Sequence, residues 1–267
     1  MSAGVSSRPA APLRAAAPAA ALVTGAARRI GRAMALDLAH RGWAVAVHYN
    51  TSADAAGEVV GAIREAGGTA VALRADLRVA EDVEALIPAA TDALGPLGLL
   101  VNNASVFEPD SLDHAPREIW DAHMESHLRA PFLLTGAFAR QLPAEASGLV
   151  INMLDARVWN PAPGFSSYTA SKVGLWTLTR TLAQELAPRV RVNAIGPGPA
   201  LPNSRQSEAD FARQCRATPL GVGTSPAEIC TALQFILAAP AMTGQMIALD
   251  GGQHLGWAVP GHPPSFE

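Results

Sequence analysis

From about residue 20 the chain alternates between short runs rich in Ala, Val, Leu and Ile and longer segments with helical spacing. The runs are "AALVT", "WAVAVHY", "TAVALRA", "LGLLVNNA", "GLVINML", "RVRVNAI" and "QMIALD", and the helical segments cover 30–41, 53–66, 80–94, 117–141 and 167–187. Strands that do not alternate with polar residues are buried on both faces, which calls for a parallel sheet covered by helices. Strand–helix alternation of this kind predicts one α/β domain built on a doubly wound parallel sheet of about seven strands. Ligands then bind at the carboxyl ends of the strands.

Composition agrees with a buried core of that size. The 267 residues are 49% hydrophobic and 16% charged, with a net charge of −3 and no basic stripe. Nucleic acid and anionic membrane surfaces are therefore not expected partners, and no apolar run approaches membrane-spanning length. Residues 1–18 are rich in Ala and Pro, carry Arg8 and Arg14, and are broken by Pro9, Pro12 and Pro18. They read as a disordered extension, with a transit peptide as the competing reading. Cys215 and Cys230 lack metal-ligand spacing, so no metal site is expected, and they read as reduced thiols of a cytoplasmic protein. The domain is placed at 19–257, followed by a tail at 258–267. Within the domain, the polar, proline-bounded segment 198–222 reads as a lid or substrate loop.

Two stretches carry chemistry. "ALVTGAARRIGRAMALDLAHRG" is a strand, a glycine turn and an amphipathic helix, an arrangement whose backbone N–H groups bind phosphate. Gly25 and Gly31 permit the turn, but Arg29 stands where the middle glycine of a G-x-x-x-G-x-G turn belongs. The second strand ends in Tyr49, Asn50, Thr51 and Ser52, without the acid that an NAD site uses for its ribose hydroxyls. Neutral donors together with Arg28 suit a 2′-phosphate, which points to NADPH; capping of helix 53–66 is the plainer role for Asn-Thr-Ser. In "INMLDARVWNPAPGFSSYTASK" a strand end delivers Asp155 towards Tyr168 and Lys172, whose four-residue spacing puts both on one helix face. The plainer role for Asp155 is to cap the turn that follows it.

"TGAARRIG", "RADL", "VNNAS", "YTASK", "VNAIGPG" and "TGQMIALDGG" resemble, in order and spacing, the short-chain dehydrogenase/reductase family, over residues 20 to about 256. The resemblance implies a Rossmann-type fold, NADPH/NADP+ as cofactor and assembly into a homotetramer through helices 117–141 and 167–187. It makes Tyr168 the proton donor and Lys172 the ligand of the nicotinamide ribose, with Asp155 where the family has its catalytic Ser. A neighbouring ammonium is expected to pull the phenol down from its ordinary pKa of about 10. Ile30, Asp76, Leu77, Asn103, Ala104, Ser105, Pro197 and Gly198 fall where the family lines its cofactor.

The departures from the family pattern are similar to the pteridine reductases: Arg29 in the turn, Asp155 before the Tyr, and Phe107 two residues after "NNAS". His127 and "LDGGQHL" resemble the dihydromonapterin reductase branch. This implies that Phe107 stacks on a flat heterocycle, with Ser105 as a polar contact, and that Arg29 reaches both the cofactor phosphate and the ring. Trp159 either walls the substrate site or packs; Trp257 is assigned, less firmly, to a neighbouring subunit's pocket; His127 either holds a relay water or packs between helices.

An ionised carboxylate would repel the alkoxide formed in ketone reduction, whereas a C=N bond needs a proton delivered to nitrogen. The expected activity is therefore NADPH-dependent reduction of a dihydropterin, such as dihydromonapterin or dihydrofolate, to the tetrahydro form. A ketone or 3-oxoacyl reductase on the same scaffold and a non-catalytic NADPH sensor are the rivals.

Overall fold

The computed structural model of the chain describes residues 17–256. The Ala/Pro-rich extension, apart from its last two positions, and Trp257 with the tail lie outside the described residues. The strands are β1 (Ala20–Val23), β2 (Ala44–Tyr49), β3 (Ala70–Arg74), β4 (Leu99–Asn102), β5 (Gly148–Met153), β6 (Val190–Pro197) and β7 (Met246–Leu249). All seven pair in parallel in the order β3-β2-β1-β4-β5-β6-β7, with the reversal of strand order between β1 and β4. β1, β4 and β5 are buried at every position, as runs without polar alternation require.

Eight α-helices lie among the described residues, most of them packed on the two faces: α1 (Arg29–His40), α2 (Ala53–Glu65), α3 (Ala80–Leu94), α4 (Arg117–Met124), α5 (Ala130–Gln141), α6 (Ser166–Glu185), α7 (Glu208–Arg216) and α8 (Pro226–Ala238). Met34, Leu38, Val59 and Ile236 join the apolar layer on one face of the sheet, and Leu86, Ile87, Leu134 and Phe138 join the other. No helix among the described residues is long and apolar enough to cross a membrane.

Two elements differ from the pattern read in the sequence. The segment 117–141 is not one α-helix: a π turn, Glu125–Arg129, separates α4 from α5. Pro131 explains it, because a proline has no N–H to give the carbonyl four residues earlier, that of His127, and its ring crowds that carbonyl. The segment 198–222 is not all loop either. It contains α7, started by a reciprocal capping box in which Ser207 and Asp210 satisfy each other's backbone N–H groups. No residue of α7 is buried, so it carries no apolar stripe of the kind that marks a core helix.

Candidate active site

The site lies beyond the carboxyl ends of β1 to β6, as two adjoining cavities of about 570 and about 480 Å³. Arg29, Ile30, Asn103 and Ser105 line both.

The smaller cavity is built around the turn after β1. Gly25 has φ +63°, and a Cβ on Gly31 would run into the Gly25 carbonyl oxygen and sit 2.6 Å from Asn103 Nδ2. Both glycines are thus demanded by backbone approach. The Thr24 hydroxyl accepts the N–H groups of Asn103 and Ala104 at 2.8 and 3.0 Å, and Asn103 Nδ2 donates to the Thr24 carbonyl at 2.8 Å, locking the turn to the end of β4. Arg28 occupies the N-cap of α1, and Arg29 holds φ +54°, the left-handed conformation the missing glycine would have supplied. The Arg29 guanidinium donates to the carbonyls of Pro202 (2.7 Å) and Leu201 (3.2 Å), so it fastens the 198–222 segment to the rim between the cavities.

Of the four residues expected at the end of β2, Asn50 lines the cavity, while Tyr49 packs against the core and neither Thr51 nor Ser52 lines it. Ser52 is the N-cap of α2 but its side chain makes no capping bond, so capping does not explain the hydroxyl. Asp76 and Leu77 line the cavity too. Asp76 is gripped by Arg78 at 2.6 and 2.9 Å, which holds its carboxyl down at about 2. Arg78 and His48 are cavity residues that the sequence patterns above do not single out. His48 accepts the Gly25 N–H at Nδ1 (2.9 Å), and burial holds its pKa down at about 4, so the imidazole is neutral and free to accept. A lone histidine in an otherwise apolar strand was the available signal.

The larger cavity contains the acid, the phenol and the ammonium. Leaving β5 in extended conformation, Asp155 divides its carboxylate: Oδ1 accepts the Arg157 N–H at 2.8 Å and caps a short 3₁₀ turn, while Oδ2 accepts the Tyr168 hydroxyl at 2.9 Å. The capping role and the chemical role are therefore both filled, by different oxygens. Lys172 is buried, donates to the Met153 carbonyl at 2.8 Å and lies 5.7 Å from the Tyr168 ring centroid.

The phenol does not behave as expected from its lysine. Burial pushes Tyr168 well above the usual phenol range, and the charge and hydrogen bond of Asp155 push the same way. It is Lys172 that moves down, to about 8, because burial disfavours the ammonium. Tyr168 is thus a protonated donor in this state, with its hydrogen directed at Asp155.

Phe107 stands at the cavity, but one of its faces is taken: it stacks on Phe165 at 4.5 Å and 1°, and meets Tyr168 edge to face at 4.8 Å. The guanidinium of Arg157 lies 5.3 and 5.1 Å from the two phenylalanine centroids. The Nε atom of Arg157 is buried without a hydrogen-bond partner. Arg205, from the 198–222 segment, donates to the Phe107 carbonyl (2.7 Å) and pairs with Glu108 (2.9 Å). Arg157, Phe165 and Arg205 thus join Pro197 and Gly198 as cavity residues. Arg157 stood two positions from Asp155 in sequence, and its neighbour's chemistry was the only hint. Trp159 is placed elsewhere: it lines neither cavity, is 43% exposed, and packs edge-on against Trp176 and His254. His127 has protein partners at both ring nitrogens, accepting the Val106 N–H at 2.9 Å and meeting Ser171 Oγ at 2.9 Å, and so bridges two elements.

A glycine turn at the strand-order reversal, an Asn clamp on that turn, and Tyr168 and Lys172 one helical turn apart below it complete the pattern. The short chain dehydrogenase family model matches residues 19–212. The chain belongs to the short-chain dehydrogenase family. Within that family, a solved structure titled FolM alternative dihydrofolate reductase 1 from Brucella canis, complexed with NADP, is 47% identical, with a TM-score of 0.87 over 91% of this chain and 96% of that one. The 3-oxoacyl-[acyl-carrier-protein] reductase of Synechocystis is 36% identical over 87% of this chain and 95% of its own length. The angucycline C-6 ketoreductase LanV, solved with bound NADP, is 32% identical with a TM-score of 0.82, covering 89% of this chain and 96% of that one. As a short-chain dehydrogenase, the chain is an oxidoreductase with a Rossmann-like single domain.

Proposed function

We propose that this short-chain dehydrogenase is an NADPH-dependent reductase of dihydropterins, taking a substrate such as dihydromonapterin or dihydrofolate to the tetrahydro form. One observation carries the reading: a carboxylate, Asp155, accepts the catalytic phenol's hydrogen in a cavity flanked by Phe107. The NADP-bound dihydrofolate reductase structure, 47% identical, supports it.

The smaller cavity fits the cofactor. Gly25 and Gly31 let the turn after β1 close against Ala104 and Asn103, which suits a phosphate-binding turn, and Arg28, Asn50 and Arg78 line the cavity as candidate donors to a 2′-phosphate, with no acid at the end of β2 to repel it. When bound, the reduced nicotinamide supplies hydride to C6 of the pterin. The chain's own residues then manage the proton that N5 must gain. Lys172, beside Tyr168, is placed to hold the ribose hydroxyls. Tyr168, protonated by virtue of its burial, is the donor to N5, and Asp155 orients it and relays a proton from bulk solvent back to the phenolate, restoring both groups. The same carboxylate can accept the N–H groups of an amino-pyrimidine edge. Residues 117–141 and 166–185 are the surfaces proposed to pair subunits into a homotetramer, and the cytoplasm is the proposed location.

A ketone or 3-oxoacyl substrate is the second reading, favoured by the 3-oxoacyl reductase and ketoreductase relatives. Steady-state rates of NADPH oxidation with dihydromonapterin, dihydrofolate and a panel of ketones separate the two. Turnover confined to ketones and undiminished in Asp155→Ser would end the pterin reading, and NADPH binding without turnover on either set would return the sensor.

A further inference from the structure

Two buried histidines, His123 at the end of α4 and His127 in the π turn, stand side by side, ring centroids 5.4 Å apart and 23° from parallel. Each is a rung between the same two elements. His127 Nε2 accepts the Val106 N–H at 2.9 Å, with Ser105 Oγ at 3.1 Å, and its Nδ1 meets Ser171 Oγ at 2.9 Å. His123 Nε2 accepts the Glu108 N–H at 3.3 Å, and its Nδ1 meets Ser167 Oγ at 2.7 Å.

The spacings mesh. Positions 123 and 127 share one side of their helical segment and 167 and 171 one side of α6, while 106 and 108 point the same way along an extended loop. Phe107 sits between the two loop contacts and Tyr168 between the two serines. Both imidazoles abut the Tyr168 ring edge to face, at 5.7 and 5.4 Å.

The partners fix the tautomers. A backbone N–H can only donate, so both Nε2 atoms are bare and both protons reside on Nδ1, donated to the serine oxygens. Ser171 passes its own hydrogen to the Tyr168 carbonyl at 2.7 Å.

We propose that His123 and His127 are positioning residues, a pair of neutral imidazole rungs that holds Phe107 and Tyr168 in fixed relation so that both meet one flat substrate. The substrate side of this statement rests on the dihydropterin reading. The rungs work only while uncharged, because a protonated Nε2 would confront a backbone N–H. The surroundings keep them so. Burial lowers both histidines; Lys172 opposes a second positive charge at each, and His123 also disfavours charge on His127. Asp110 and Glu108 act the other way on His123, making it the rung that protonates first. Tyr168, the remaining titratable group against the pair, is uncharged.

The test uses the full-length protein. Long-range ¹H–¹⁵N spectra of the histidines in wild type report tautomer and titration, and hydrogen exchange reports the Val106 and Glu108 amides; neither needs a substrate. Two bare Nε2 atoms with no titration near 6.5, together with slow exchange at both amides, are the expected result. In single His→Leu variants the dihydropterin turnover number should fall about 100-fold while NADPH affinity stays within about twofold. His→Gln, which can still accept and donate, should recover most of the rate and lose the acid limb of the pH profile.

An Nε2–H tautomer, titration near 6.5, or Leu variants with wild-type turnover would overturn the proposal. If Leu variants fail to fold, the wild-type spectra and the Gln variants decide it. A wild type with intact rungs that reduces no pterin would sink the substrate reading and leave the rungs standing.

Discussion

Asp155 Oδ2 accepts the hydroxyl hydrogen of Tyr168 at 2.9 Å, so the phenol proposed as proton donor is held by a carboxylate. That contact adds to burial in keeping the phenol protonated, and on the proposed dihydropterin reading it also selects the kind of bond that can be reduced. Replacing Asp155 with Ser is expected to lower dihydropterin turnover by about 100-fold, with NADPH affinity preserved. It should also bring the Tyr168 pKa down, since the charge and the hydrogen bond of Asp155 both raise it. Tyrosinate absorbance reads this directly, as Tyr49 is the only other tyrosine.

Arg29 offers a test that separates strain from contact. At φ +54° a glycine relaxes the backbone and an alanine does not. Both lose the bonds to Leu201 and Pro202. Arg29→Gly should therefore be more stable than Arg29→Ala by about 1 kcal/mol in urea denaturation, while both bind NADPH more weakly than wild type.

Lys172 gives a pH signature. Its folded pKa, about 8, lies below the ordinary 10.5, so between these values the unfolded chain binds the extra proton. Stability from this group therefore rises with pH across that window, by at most about 1.4 kcal/mol per pH unit. Denaturant titrations of the apoprotein from pH 8 to 10 should show that slope in wild type and lose it in Lys172→Met. Cofactor affinity should move oppositely, weakening as pH passes about 8 and the ammonium that serves the ribose is lost.

The 198–222 segment, read as a lid, is tied at a second point by Arg205, through Glu108 and the Phe107 carbonyl. Arg205→Ala should raise KM for the pterin about tenfold, the loss of a charge-assisted contact of about 1.4 kcal/mol, and leave NADPH affinity unchanged. Glu108→Gln should do less, because the bond to the carbonyl survives.

The sheet was legible because burial on both faces leaves an unambiguous apolar run, and the glycine turn because backbone approach at Gly31 admits nothing larger. Asp155, Tyr168 and Lys172 were legible because strand end and helix face are local properties. What eluded the sequence depends on contacts made at long range. His48 reads as one more strand residue until Gly25 folds against it, 23 positions away in the chain. Arg205 reads as part of a polar loop until it meets Glu108, 97 positions away. The Tyr168 shift runs opposite to the expected direction because burial, which only tertiary structure supplies, and Asp155 both raise it. For Trp159 the sequence leaves open a wall of the substrate site or packing; the 3₁₀ turn carries it round to pack on Trp176 and His254.

The apolar strands end where the reactive groups begin: Gly25 follows β1, Asn50 follows β2, Asp76 lies just past β3, Asn103 follows β4 and Asp155 lies two residues past β5. Most of the durability thus resides in the strands and most of the polar site groups beyond them, with Tyr168 and Lys172 on α6 sharing in both. A lineage built on this sheet can rewrite the segments beyond the strand ends, and with them its choice of substrate, without revising the part of the molecule that keeps it folded.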